Sequence, residues 1–61
     1  MERTVRMKLD KTTKGALRYA EIDSEGNETL IADAMIGTLY VRKSGLKGEQ
    51  PTVIDVTIKT A

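Results

Sequence analysis

The chain of 61 residues is long enough for one small domain spanning residues 1–61, and its charges nearly cancel at a net +1. It contains no Cys and no His, which excludes disulfides and the common zinc sites and removes the usual catalytic base and thiol nucleophile; we therefore expect a non-enzymatic protein without metal or cofactor. No apolar run approaches the roughly 18 residues of a membrane span and no secretory signal is present, so we expect a cytoplasmic protein without a membrane partner.

The first two predicted strands are joined by a short turn. Residues 4–9, TVRMKL, alternate polar and apolar side chains with a period of two, which is typical of a half-buried strand. The alternation stops at residues 11–15, KTTKG, where Gly15 suits a hairpin turn. Residues 16–22 then form the second predicted strand, with Leu17, Tyr19 and Glu21 on one face.

The next segment is acidic and leaves two structures open. Residues 23–27, DSEGN, strongly favour a turn. Residues 28–35, ETLIADAM, have the apolar spacing of a short helix, which Asn27 could cap and Gly37 could end. Alternatively, residues 28–31 return against the second strand as a hairpin arm, which we favour because so short a helix is marginal by itself.

The second half of the chain predicts two further strands. Residues 36–43 alternate, with Leu39 and Val41 on one face and Tyr40 and Arg42 on the other. Residues 44–51, SGLKGEQP, are predicted as a loop anchored by Leu46. Residues 52–59 are rich in Val, Ile and Thr, which favours a strand.

These elements predict an all-β fold, a small antiparallel four-stranded sheet curled into a half-barrel or completed by a second chain. A domain this small buries only about 60% of the surface exposed by its unfolded chain. With neither disulfides nor zinc to stabilise it, we expect a homo-oligomer, a homodimer in the simplest case. The apolar face is predicted to hold Val5, Met7, Leu9, Leu17, Tyr19, Leu39, Val41, Ile54, Val56 and Ile58.

Charge is segregated along the chain. Residues 1–20 carry six cations against two acids, residues 21–36 carry five acids and no cation, and residues 37–61 carry four cations against two acids. We interpret residues 24–35 as an acidic variable insert or loop, and the five acids of residues 21–36 as solvated acids rather than paired catalytic carboxylates.

The opposite, polar face of the predicted sheet is the best functional signal. Its cations suit phosphate contacts, and an exposed tyrosine can stack a base, as in proteins that bind single-stranded nucleic acid. The predicted nucleic-acid-binding residues are Arg6, Lys8, Arg18, Tyr40, Arg42 and Lys43. The alternative is a protein-interaction module, an inhibitor or accessory subunit, because exposed strands also use Lys and Arg for solubility and complementary charge patches guide protein association.

Three pieces of the chain, KTTKGALRYAE, IGTLYVRKSGL and VIDVTIKT, resemble a family of short uncharacterised bacterial proteins with a KxTKGxxRY start, a GTLYxRKSxL centre and a closing VTI strand. The resemblance covers most of the chain except residues 24–35 and implies no activity. GTLYVRKSGL before a V-T-I strand is also faintly similar to AbrB-like swapped-hairpin DNA-binding domains, in which a strand, a Pro-Lys turn and a short helix precede the last strand. Arg42 stands where that pattern has Pro, and the segment before Pro51 is short and Gly-rich.

Overall fold

The computed structural model of the protein describes residues 1–30 and 32–61, and it is a curled four-stranded antiparallel sheet, a half-barrel, with one short helix. The elements in chain order are β1 (Glu2–Thr12), β2 (Ala16–Ile22), β3 (Thr38–Arg42), α1 (Lys43–Leu46) and β4 (Val53–Lys59). The strand order is β3-β2-β1-β4, so β1 and β2 are central and β3 and β4 are the edges. The predicted all-β, antiparallel fold is confirmed.

Strand register divides the side chains between two faces. One face, here called the covered face, carries the apolar set that the alternation predicts: Val5, Met7, Leu9, Leu17, Tyr19, Leu39, Val41, Ile54, Val56 and Ile58. The other, the open face, carries the polar set and a few small or apolar side chains, including Arg6, Lys8, Arg18, Ala20, Tyr40, Arg42, Val53, Asp55, Thr57 and Lys59. The period of two in each strand thus separates core from solvent.

The core is small and lies under a connection that crosses the sheet. Met7, Leu17 and Tyr19 on the covered face are fully buried, and the apolar side chains around them are half-buried. The chain leaves β3 at one edge and enters β4 at the other, so α1 and residues 47–52 must pass across the sheet. Leu46 packs against the core, and the Tyr19 hydroxyl donates a 2.7 Å hydrogen bond to the Pro51 carbonyl. This connection, together with Ile36 from the segment before β3, covers the core.

The prediction of a loop over residues 44–51 is partly wrong, since the helix α1 begins at Lys43 and ends at Leu46. No side chain caps its N-terminus, and the residue that follows it, Lys47, has the left-handed conformation with a φ of 51°. A single turn of helix is marginal by itself, so the packing of Leu46, not a local sequence signal, holds it. No helix of the described residues is long and apolar enough to cross a membrane.

The acidic segment after β2 is a hairpin, as we favoured, and its helical alternative is wrong for the described residues of 28–35. Asp23 donates its backbone N–H to the Asn27 carbonyl, and its side chain accepts hydrogen bonds from the backbone N–H groups of Glu25 and Asn27. Glu28 then forms an isolated bridge with Ile22. The Asp23 side chain thus closes a turn that returns the chain along β2. Residue 31, which both predictions included, lies outside the described residues.

A β-bulge interrupts the pairing of β1 with β2. Leu9 lies opposite Tyr19 and Lys11 lies opposite Arg18, so Asp10 is an extra residue without a partner in β2. Bulges of this kind redirect a side chain that would otherwise follow the alternation. Here the side chain that departs from the alternation is Lys11, which lies opposite Arg18 on the open face, and the Asp10 carboxylate meets Arg18 on the same face.

Candidate nucleic-acid interface

The structure brings five of the six predicted binding residues onto one surface. Arg6 and Lys8 from β1, Arg18 from β2, and Tyr40 and Arg42 from β3 all lie on the open face. The central position of β1 and β2 is what places side chains from three strands side by side.

The sixth predicted residue, Lys43, is not part of a strand. It is the first residue of α1, is half-buried, and its backbone N–H donates a 3.0 Å hydrogen bond to the Gly15 carbonyl. That bond ties the end of β3 to the turn between β1 and β2. Lys43 therefore lies next in the chain to Arg42, beside the end of the open face that is formed by the turn between β1 and β2.

Arg18 and Tyr40 form the centre of this surface, as directly opposed residues of β2 and β3. The Asp10 carboxylate accepts a 2.7 Å hydrogen bond from the Arg18 guanidinium, and Asp10 and then Tyr40 raise the pKa of Arg18. The Arg18 Nε is buried and has no hydrogen-bond partner among the described residues. Tyr40 remains 60% exposed beside this fixed arginine, so its ring is available for stacking.

Lys8 and Arg42 differ from Arg18 in having no acidic partner. No carboxylate of the described residues lies within 4.0 Å of either charged group. Their cross-strand neighbours explain this: Lys8 lies opposite Ala20 and Val53, and Arg42 lies opposite Ala16. We call Lys8, Arg18, Tyr40 and Arg42 of the open face, together with the adjacent Lys43 of α1, the basic end of the open face.

The half of the open face formed by β1 and β4 is internally compensated. The Arg6 guanidinium donates hydrogen bonds of 2.9 and 3.3 Å to the two carboxylate oxygens of Asp55. This pairing raises the pKa of Arg6 and holds the pKa of Asp55 below its usual value. Lys59 lies 4.0 Å from Glu2, directly opposite on β1. Arg6 is therefore already matched by an acid, unlike Lys8 on the same strand.

The acidic hairpin lies at the Arg6 end of the open face. A groove of about 690 Å³ separates residues 23–26 from β1 and β4. Its lining is mixed in charge and includes Arg6, Asp55, Asp23, Ser24 and Glu25. The hairpin follows Ile22, at one end of β2, whereas Tyr40 and Arg42 lie opposite Arg18 and Ala16 towards the other end. The acidic hairpin and these two residues are therefore separated along the sheet.

Glu21 is the residue that sequence reasoning placed wrongly, among solvated acids. It is only 6% exposed and points to the covered face beside Tyr19. Its carboxylate accepts hydrogen bonds from three successive backbone N–H groups, with Oε1 2.7 Å from the Ile36 nitrogen, 3.0 Å from that of Met35 and 3.2 Å from that of Gly37. The Ile36 bond is the largest cause that lowers the pKa of Glu21, against the opposing effect of burial.

The conformation of Gly37 helps to form this pocket for the carboxylate. Its φ of 81° lies in the left-handed region that favours glycine, and a turn of this kind aims successive N–H groups at one point. Glu21 thereby ties residues 35–37 to β2 just before β3 begins. One signal was present in the sequence: the alternation put Glu21 on the same face as Leu17 and Tyr19.

The described residues contain no cluster of three or more acidic side chains that could hold a metal ion. Comparison of the chain with protein-family models, curated proteins and solved structures finds no significant match. The resemblances drawn from the sequence therefore stay predictions, and the placement of the charged side chains carries the functional argument.

Proposed function

We propose that the protein binds nucleic acid, preferentially single-stranded, through the basic end of its open face. The observation that carries the proposal is that the open face presents Lys8 and Arg42, without acidic partners among the described residues, on the same surface as the exposed ring of Tyr40. Cations beside an aromatic surface are the combination with which proteins hold single strands without reading sequence.

The residues of the basic end have different roles in this proposal. Lys8, Arg42 and Lys43 contact backbone phosphates, which makes binding weaken steeply as salt rises. Tyr40 stacks on one base. Arg18, half-buried and held by Asp10, is a positioning residue that supports Tyr40 from the neighbouring strand. Arg6 has a minor role because Asp55 already neutralises it.

The test is a titration of fluorescent single- and double-stranded oligonucleotides at two salt concentrations, followed by anisotropy. We expect the wild-type chain to bind the single strand at low salt, with a marked loss at high salt. The double variant Lys8→Ala/Arg42→Ala removes two cations and should lower the slope of log affinity against log salt by about 2. Absence of binding at low salt would contradict the proposed function.

The matched control is Arg6→Ala/Lys59→Ala, which also removes two cations from the open face. Both of these residues face acids, Asp55 and Glu2 respectively, so the loss of affinity should be much smaller. Equal losses for the two double variants would show that net charge alone drives binding and would overturn the choice of site.

A second candidate function is a protein-interaction module without nucleic-acid affinity. The observation that favours it is the mixed groove beside the acidic hairpin, where Arg6 and Asp55 face Asp23 and Glu25. A surface with both signs of charge suits a protein partner of complementary pattern better than it suits a polyanion. The same titration separates the two functions, since this candidate requires that neither oligonucleotide binds at low salt.

A further inference from the structure

The edge strand β4 has the pattern of a strand that pairs with another chain. It runs for seven residues without proline, and its pairing with β1 has no bulge. Natural edge strands are commonly shortened, bulged or interrupted by proline, because an unpaired edge recruits other strands. Ile54, Val56 and Ile58 along this edge are only half-buried.

The hydrogen bonds at the two ends of the β1–β4 pair fix which backbone groups of β4 point outward. The Thr60 N–H donates to the Met1 carbonyl at 2.9 Å, and the Leu9 N–H donates to the Thr52 carbonyl at 2.7 Å. Antiparallel strands alternate between hydrogen-bonded and non-hydrogen-bonded pairs, so the even-numbered residues of β4 turn their backbone groups to β1. The outward N–H and C=O groups belong to Val53, Asp55, Thr57 and Lys59.

We propose that β4 pairs with β4 of a second copy of this chain, antiparallel, about a two-fold axis at Thr57. This register puts Asp55 opposite Lys59 of the second copy, and Lys59 opposite its Asp55. The three pairs of this register are Asp55 with Lys59, Thr57 with Thr57 and Lys59 with Asp55. Each joins residues whose backbone groups point away from β1, so each is a hydrogen-bonded pair. The interface is self-complementary, as a two-fold axis requires.

Charge selects this register over its neighbours. An axis at Asp55 would put the two aspartates opposite each other, and an axis at Lys59 would do the same to the two lysines. An axis at Val56 would put Asp55 opposite Thr57, and an axis at Ile58 would put Lys59 opposite Thr57. In both registers neither charge has a partner of opposite sign across the interface. Directly opposed residues of opposite charge stabilise a strand pair, and like charges destabilise it.

The proposed pairing also extends, into the second copy, the rows of directly opposed side chains that β1 and β4 already form. Arg6 lies opposite Asp55, and Glu2 lies opposite Lys59, so the row across the interface alternates in sign as Arg6, Asp55, then Lys59 and Glu2 of the second copy. The central row consists of threonines alone, since the Thr4 and Thr57 hydroxyls are 2.9 Å apart in each copy.

On the covered face, the same register brings Val56 opposite Ile58 of the second copy, as a close, non-hydrogen-bonded pair. Pairing therefore covers the half-buried side chains of the edge and joins two small cores across a continuous eight-stranded sheet. It also places both open faces on the same side of that sheet, because the two-fold axis runs perpendicular to it.

The test is the solution mass by multi-angle light scattering at several protein concentrations. We expect the wild-type chain at twice its mass of 6.7 kDa. Asp55→Lys puts two pairs of lysines across the interface, and Lys59→Glu puts two pairs of acids there, so each variant alone should run at a single chain mass. Asp33→Lys and Lys14→Glu, which change charge by the same amounts away from β4, should leave the mass doubled.

Mixing the two variants gives the decisive result. A chain with Asp55→Lys and one with Lys59→Glu have opposite charges at both interface positions, so the equimolar mixture should return to twice the chain mass. Circular dichroism of each variant establishes that it is folded. Thr57→Pro is the second variant: its missing N–H points away from β1, so the domain should keep its fold and lose its partner.

Three results would overturn the proposal. They are a wild-type mass of one chain at every concentration, a doubled mass in both charge-reversal variants, and a mixture of the variants that stays at one chain mass.

Discussion

The two faces of the sheet use charge and aromatic rings in opposite ways. On the covered face, Tyr19 is fully buried with its hydroxyl bonded to Pro51, and Glu21 is held by backbone N–H groups. On the open face, Tyr40 is exposed and Lys8 has no acidic partner among the described residues. A tyrosine and a charged side chain thus stabilise the fold on one face, and a tyrosine and a charged side chain remain available to a ligand on the other.

The largest expected effect is on the covered face, at Leu17. Its side chain is fully buried, so Leu17→Ala should lower the free energy of unfolding by about 2–5 kcal/mol. A core of this size supplies only about 3–5 kcal/mol, so the variant should be largely unfolded at room temperature. Urea denaturation followed by circular dichroism measures this. Leu30→Ala, at a leucine that is 73% exposed, is the control, and a Leu17→Ala variant as stable as the control would contradict the core.

The next effect concerns the buried carboxylate of Glu21. Glu21→Gln keeps the shape but removes the charge that accepts the N–H groups of residues 35–37, and should cost about 1–3 kcal/mol. Glu25→Gln, in the exposed hairpin, should cost nothing measurable. Equal losses in the two variants would show that the charge of Glu21 does not stabilise the fold.

The same carboxylate predicts how stability depends on pH. The folded-state pKa of Glu21 lies below its ordinary value of 4.5, so ionised Glu21 stabilises the folded state above that value. This contribution is lost as pH falls through the folded pKa. The difference in unfolding free energy between the wild type and Glu21→Gln should therefore be constant near neutral pH and shrink in acid. A difference that grows as pH falls would contradict a lowered pKa of Glu21 in the folded state.

A pair of tyrosine variants separates the two faces directly. Tyr40→Leu should weaken binding of a single-stranded oligonucleotide by about 1–3 kcal/mol, the usual contribution of one stacked base, and leave the unfolding free energy nearly unchanged. Tyr19→Phe should do the reverse, since it loses only the hydrogen bond to Pro51, at about 0.5–1.5 kcal/mol of stability. Anisotropy titrations and denaturation curves on both variants check the pattern. Loss of binding in Tyr19→Phe but not in Tyr40→Leu would show that the oligonucleotide does not bind at the basic end of the open face.

The sequence was sufficient for the fold and for the two faces, because both depend on a period of two within each strand. It was not sufficient for α1, whose single turn depends on the packing of Leu46. It also could not separate Arg6 from Lys8. Both are exposed cations of β1, and only the register with β4, some 49 residues further along the chain, puts Asp55 beside Arg6. Nor could it reveal that Glu21 meets the N–H groups that precede β3.

The smallest expected effect is at Arg6, and it is the one that most sharpens the contrast within the open face. Both members of the Arg6–Asp55 pair are exposed, so solvent screens their attraction, and Arg6→Ala should leave the midpoint of urea denaturation within the scatter of replicate measurements. Oligonucleotide affinity should also change little, because Asp55 already occupies the Arg6 guanidinium and Arg6 lies outside the proposed phosphate contacts. Lys8→Ala, two residues along the same strand, should by contrast weaken binding and lower its salt dependence by about 1 in the logarithmic slope. If both single variants weaken binding equally, pairing by Asp55 does not withdraw Arg6 from the ligand, and the binding surface extends across β1 to the groove beside the acidic hairpin.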